Sequence, residues 1–180
     1  MNLVTDPWIP VVSTDGAQSK VSLRDAFKRA ADIRDLSCNP PQRIALMRLL
    51  ICIAQTGLDG PEDEEEWFRC KDRIANAAIK YLDEKMLLFD LFGERPFMQI
   101  PELTIRSPNR KVEKAKAEEQ ERKSVLDKLD MRLATGSSTH TLFDHVAVAG
   151  PRPHDAENLA LNLLPFQCFA LGGGQSGRAQ

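Results

Sequence analysis

A chain of 180 residues suits one domain with one sizeable core. Hydrophobic residues make up 42% and charged residues 28%, which excludes wholesale disorder. A formal net charge of −2 excludes a protein that grips nucleic acid by bulk charge alone, so any such contact is local or shared with partners.

The opening, Met1 to Pro7, has no basic run and no long apolar stretch, and no signal peptide is read there. No apolar stretch reaches bilayer length. The four cysteines, Cys38, Cys52, Cys70 and Cys168, form no Cys-x-x-Cys pair and fit a reducing cytoplasm. Cys52 and Cys70 lie in apolar helical patterns, where burial is expected.

Trp8-Ile9-Pro10-Val11-Val12 reads as an edge or irregular strand, because proline lacks a donor. Thr14-Asp15-Gly16 is a turn, and Lys20-Val21-Ser22 resumes the extended run, so a small hairpin is expected. Ser22 to Asp25 resembles a capping box, opening a short helix to about Ala31. Pro40-Pro41 start a helix dense in apolar residues, Ile44 to Ala54, that Gly57 stops. Apolar residues on most of its faces mark it as a central core helix. Asp63 caps the next helix, with Glu64, Glu65 and Glu66 in its first turn. Trp67, Ile74, Ala77, Ala78 and Tyr81 then recur at helical spacing.

Leu87 to Gly93 is an apolar knot, and Arg95 to Pro101 is extended between prolines. Residues 107–133 carry mixed charge with thinly spaced Val112, Val125, Leu126, Leu129 and Leu133, as a solvated helix or a partly ordered loop. Thr135 to Thr141 is a loop by composition. Asp155 caps a last helix holding Leu159, Leu163, Leu164, Phe166 and Phe169, with a kink or break expected at Pro165. The fold class is α+β, mostly helical with a small N-terminal β-hairpin or sheet.

Catalytic chemistry finds little support. His140 and His145 are five apart, which matches no common helical ligand pattern, so a metal-dependent hydrolase built from them and Asp144 is a weak alternative. No Gly-x-Ser-x-Gly elbow has a strand before it and a helix after it. Cys168 sits among Phe166, Phe169 and Leu171, where burial dulls a thiol. No cofactor is expected.

Two segments remain as candidate sites. Gly172-Gly173-Gly174 removes every side chain over three residues, so either a ligand approaches the bare backbone or the segment is a flexible tail. The Thr135 to His145 loop is either an ordinary surface loop or a recognition loop with an aromatic ring for stacking.

Four blocks, in order, carry a family resemblance: Asn2-Leu3-Val4-Thr5-Asp6-Pro7-Trp8-Ile9-Pro10-Val11; Phe89-Asp90-Leu91-Phe92-Gly93 with Arg95-Pro96-Phe97-Met98-Gln99; Thr141-Leu142-Phe143-Asp144-His145; and Phe166-Gln167-Cys168-Phe169-Ala170-Leu171-Gly172-Gly173. Together they resemble the CasA family, the large subunit of Cascade, the type I-E CRISPR surveillance complex. The resemblance implies that residues 1–180 form the N-terminal part of that subunit's main domain, without its C-terminal four-helix bundle. It implies a non-catalytic, cytoplasmic nucleic-acid-binding subunit. Its partners would be crRNA, target double-stranded DNA, other Cascade subunits and a recruited helicase-nuclease, with no membrane. Phe143 and His145, flanked by Thr141 and Asp144, would dock on the crRNA 5′ end and backbone subunits. Gly172, Gly173 and Gly174, with Ser176 and Arg178 beyond, would meet the protospacer-adjacent motif. A stand-alone protein that occupies the docking position without supporting interference is the other alternative.

Overall fold

The computed structural model describes residues 1–99, Leu129 and residues 155–169. The expected hairpin is present: β1 (Ile9–Ser13) pairs antiparallel with β2 (Gln18–Val21) across a turn holding Gly16 at φ 90°. A third strand, β3 (Ile33–Leu36), pairs with the other edge of β1, so the sheet order is β2-β1-β3. The proline-bearing strand is therefore central. The Val12/Ser13 register shift in the β1–β3 ladder marks a bulge, where pairing is locally broken.

Helix α1 (Leu23–Lys28) starts at Ser22, whose hydroxyl accepts the Asp25 N–H at 3.1 Å and donates to the Asp25 carboxylate at 3.0 Å. It is shorter than expected; a 3-10 turn, Ala30–Asp32, follows it. Helix α2 (Pro40–Gly57) carries a full capping box. Asn39 Oδ1 accepts the Gln42 N–H at 3.0 Å, and Gln42 Oε1 accepts the Asn39 N–H at 3.2 Å. Asp63 caps α3 (Glu64–Cys70) by accepting the Glu66 N–H at 2.7 Å.

The helical spacing from Trp67 to Tyr81 is not one helix. A 3-10 turn, Lys71–Arg73, separates α3 from α4 (Ile74–Glu84), and α4 buries Ala78 and Leu82. Helix α5 (Ala156–Phe169) begins after Asp155, whose carbonyl accepts the Leu159 N–H at 3.0 Å. No break occurs at Pro165. Losing one helical hydrogen bond and adding a ring costs about 3 kcal/mol. Burial of Ala160, Leu161, Leu163, Leu164 and Pro165 itself outweighs that cost.

One core joins sheet and helices. Trp8, Ile9, Val11 and Val21 come from the sheet, Leu46, Leu49 and Ile53 from α2, Leu82 from α4, and Ala160 and Leu164 from α5. Within the charged stretch 107–133, Leu129 is helical, half-buried and packed against this core. Cys70 is buried as expected, but Cys52 is exposed, because it lies on the outer side of α2. Cys168 is only half-buried near the end of α5. Among the described residues, no helix is long and apolar enough to cross a membrane.

At the sheet margin, Arg43 Nη1 donates to Asp35 Oδ2 at 2.8 Å. That bond, helped by the Leu36 backbone N–H, holds the Asp35 carboxyl below its usual range. A lowered folded pKa stabilises the fold above the unfolded pKa, and the contribution fades as pH falls through the folded one. Arg43→Gln is therefore expected to move the Asp35 carboxyl titration, followed by NMR, upward. An unmoved titration would remove this assignment.

Candidate functional site

The amino-terminal segment is locked against the second motif block. Leu3 N–H donates to Phe89 O at 2.9 Å, and Leu91 N–H donates to Met1 O at 2.9 Å. Asn2 and Asp90 form an antiparallel bridge between them. Asn2 organises both sides. Its Nδ2 donates to Met86 O at 2.9 Å, and its Oδ1 accepts the Val4 N–H at 3.0 Å. Its own N–H donates to the Asp6 carboxylate at 2.9 Å. The Trp8 indole N–H donates to Leu3 O at 2.9 Å, so the first block is folded on itself and on the second.

The second block is a tight knot around Phe89. Its ring stacks on Phe97, with centroids 5.5 Å apart, and meets Tyr81 edge-on at 6.5 Å. Asp90 accepts the Phe92 N–H at 3.1 Å, and Phe97 N–H returns to Asp90 O at 2.8 Å. Gly93 fits because a side chain there would press on Asp90, whose Cβ lies 3.1 Å from the position a Cβ would take. Met98 adopts φ 53°, a left-handed conformation that costs a non-glycine residue about 1 kcal/mol or more. Its carbonyl accepts the Gln167 side-chain N–H at 2.9 Å, bringing the start of the fourth block against the second. Phe92, Met98 and Phe169 remain exposed around this junction.

Two hollows lie beside the sheet. One, about 540 Å³, is lined by Asp6, Lys20, Asp155 and Glu157 among others. The other, about 290 Å³, lies between Trp8, Cys38, Asn39 and the α5 residues Asn158 and Asn162. Lys20 bridges to Glu157 between them. Gln42 Nε2 donates to Asn162 Oδ1 at 2.7 Å, tying α2 to α5. Burial pushes the Cys38 thiol pKa up, which disfavours its reactive thiolate. Slower alkylation of Cys38 than of the exposed Cys52 at neutral pH is expected by peptide mass spectrometry, and equal rates would contradict it.

Among the described residues, no group of three His, Cys, Asp or Glu side chains could hold a metal ion. The candidate ligands His140, Asp144 and His145 lie outside the described residues. So do Thr141, Phe143, Gly172, Gly173, Gly174, Ser176 and Arg178. The structure thus brings together three of the four motif blocks through residues that chemistry alone did not single out, above all Asn2 and Gln167. Asn2 carried no local signal, because its Met86 partner is 84 residues away. The Asn39–Gln42 box is a local signal, legible in the three-residue spacing of its two side chains.

This arrangement is that of a scaffold whose motifs hold the chain together, and the class of protein follows from comparison. The family described as CRISPR-associated protein Cse1 matches residues 2–180. The CRISPR-associated protein CasA/Cse1 of Thermus thermophilus is 30% identical over 177 residues, 96% of this chain and 32% of that protein. The crystal structure of Thermobifida fusca Cse1 is similar with a TM-score of 0.69 and 28% identity, over 92% of this chain and 29% of that one. A chain from a CRISPR RNA-guided surveillance complex in a pre-nicking state is similar with a TM-score of 0.68 and 25% identity, over 92% and 33%. This chain belongs to the Cse1 family. It spans about a third of the length of these relatives.

Proposed function

We propose that this chain is a non-catalytic, nucleic-acid-binding component of a type I-E CRISPR surveillance complex, acting in the cytoplasm. The observation that carries the reading is its likeness, over 92% of its length, to a chain of an RNA-guided surveillance complex. In this reading the loop of Thr141, Phe143, Asp144 and His145 docks on the crRNA 5′ end and the neighbouring backbone subunits. An aromatic ring suits that task, because unpaired RNA bases stack on it. Gly172, Gly173 and Gly174 follow α5, and bare backbone enters a minor groove and offers amides to base acceptors. Ser176 and Arg178 then meet the phosphates of target double-stranded DNA. Recruitment of a helicase-nuclease belongs to the full-length assembly.

The test is reconstitution. The tagged chain is mixed with guide-loaded complex lacking its large subunit, after circular dichroism has established that it is folded. Co-purification is expected, with Phe143→Ala weakening it by about tenfold or more, as loss of one stacked base contact implies. A folded chain that never associates would overturn the proposal. Association unaffected by Phe143→Ala would remove the loop from it.

A further inference from the structure

The hollow of about 290 Å³ is lined by amides whose own hydrogen bonds fix their orientation. Asn39 Oδ1 accepts the Gln42 N–H, and Gln42 Oε1 accepts the Asn39 N–H, so the capping box takes both amide oxygens. Gln42 Nε2 is then the donor to Asn162, which accepts with Oδ1. The Asn158 side-chain N–H donates to Asp155 Oδ2 at 3.2 Å, because a carboxylate can only accept. Asn39 Nδ2, Asn162 Nδ2 and Asn158 Oδ1 are left without a partner among the described residues.

Proline adds another acceptor. Ser37 N–H donates to Pro10 O at 2.8 Å, one step beyond the Val11–Leu36 pair of the β1–β3 ladder. Such an antiparallel pair exchanges two bonds, but Pro10 has no N–H to return. The Ser37 carbonyl is left without its ladder donor, and Pro10 and Ser37 both line the hollow. The hollow is open to solvent, so water satisfies these groups until a ligand replaces it.

Charge and size narrow the ligand. Lys20 and Glu157, the only charged side chains among the described lining residues, pair with each other. A neutral lining disfavours a phosphate or a lone cation. Trp8, Pro10 and Leu161 give an apolar wall, which suits the face of a ring. The volume is at the lower end for small-ligand sites, about 300 Å³, and takes one ring system rather than a run of nucleotides. A peptide group offers one N–H and one C=O. A nucleobase edge sets ring nitrogens beside exocyclic groups and engages amides in pairs. Two amide donors beside two carbonyl acceptors match the base better.

We propose that this hollow seats one unpaired nucleobase of the RNA that the chain binds. The proposal rests on the nucleic-acid reading above and adds a contact separate from the Phe143 loop.

The probes are adenosine, cytidine and uridine, which carry no phosphate, titrated into the isotope-labelled 180-residue chain. Backbone and side-chain amide signals of Ser37, Asn39, Asn158 and Asn162 are followed by NMR. Saturable shifts are expected there for at least one nucleoside, with a Kd of about 1 mM, as one stacked and hydrogen-bonded base allows. Ribose alone should shift none of them. Asn39→Asp and Asn162→Asp keep the oxygen that the fold uses and delete only Nδ2. Each should weaken binding by about fivefold or more with the fold intact. Absence of saturable shifts with all three nucleosides would overturn the proposal. Binding unchanged in both variants would also overturn it. So would equal shifts from N-methylacetamide, which would assign the hollow to a peptide amide. The co-purification test is independent of these titrations, so the nucleic-acid reading stands or falls separately.

Discussion

Trp8→Ala is expected to destabilise the fold by about 3–5 kcal/mol, the range for truncating a buried aromatic side chain. Trp8 is 1% exposed and joins the first motif block to the sheet and the core. Its loss would open a cavity and remove the indole bond to Leu3 O. Trp8→Phe separates the two contributions. It keeps most of the apolar area, and Leu3 O still accepts the Leu23 N–H at 3.1 Å, so no carbonyl is orphaned. A loss of about 1–2 kcal/mol is expected for that variant. Urea midpoints followed by circular dichroism, at unchanged slope, give both values. A Trp8→Ala variant within about 1 kcal/mol of the parent would mean that Trp8 does not anchor the core.

Gly57→Ala should run against helix propensity. Within a helix this change ordinarily gains about 1 kcal/mol. Here an added Cβ would lie 2.7 Å from Ala77 O and 3.0 Å from Ala78 N, where α2 crosses α4. Those are backbone atoms, so the helices must separate. A loss of about 1–3 kcal/mol is expected, as for overpacking. Trimming Ala77 to glycine should not rescue it, because the clash is with the main chain. A neutral or stabilising Gly57→Ala, measured by thermal melting, would refute the close crossing.

Gly57 also marks how far local pattern reaches. It reads as a helix stop, and the helix does end there, but its φ is not left-handed; Asp59 and Gly60, at φ 64° and 69°, make the turn. The hairpin and the caps at Ser22 and Asp63 are legible because turn and cap chemistry act within four residues. Strand β3 is not legible. Ile33-Arg34-Asp35-Leu36 is short and charged, and it is extended because β1 offers an edge to pair with. The break at Lys71–Arg73 has no glycine or proline to announce it. Helix α2 reads as buried all round, whereas its outer side is uncovered by any described residue.

The family was legible in four motif blocks, and the structure supplies a physical reason for three of them: they hold one another in place. Met1, Asn2 and Leu3 with residues 86–91, and Gln167 with Met98, are long-range contacts that no window of sequence contains. Phe143, His145 and the glycines of 172–174 stand on resemblance, which carries a role without geometry.

The pairing of the first residues with residues 86–91 has a consequence for biosynthesis. Residues 1–3 cannot take their final place until Leu91 has been made. At ordinary elongation rates that is a wait of about 5–20 seconds. Throughout it, Leu3, Val4, Trp8 and Ile9, all buried in the finished fold, have only the nearby Val21 and Leu23 for company and lack Phe89, Leu91 and α5. The nascent chain thus presents this hydrophobic segment to chaperones until residues 86–91 arrive, and α5 packs onto the same core later still.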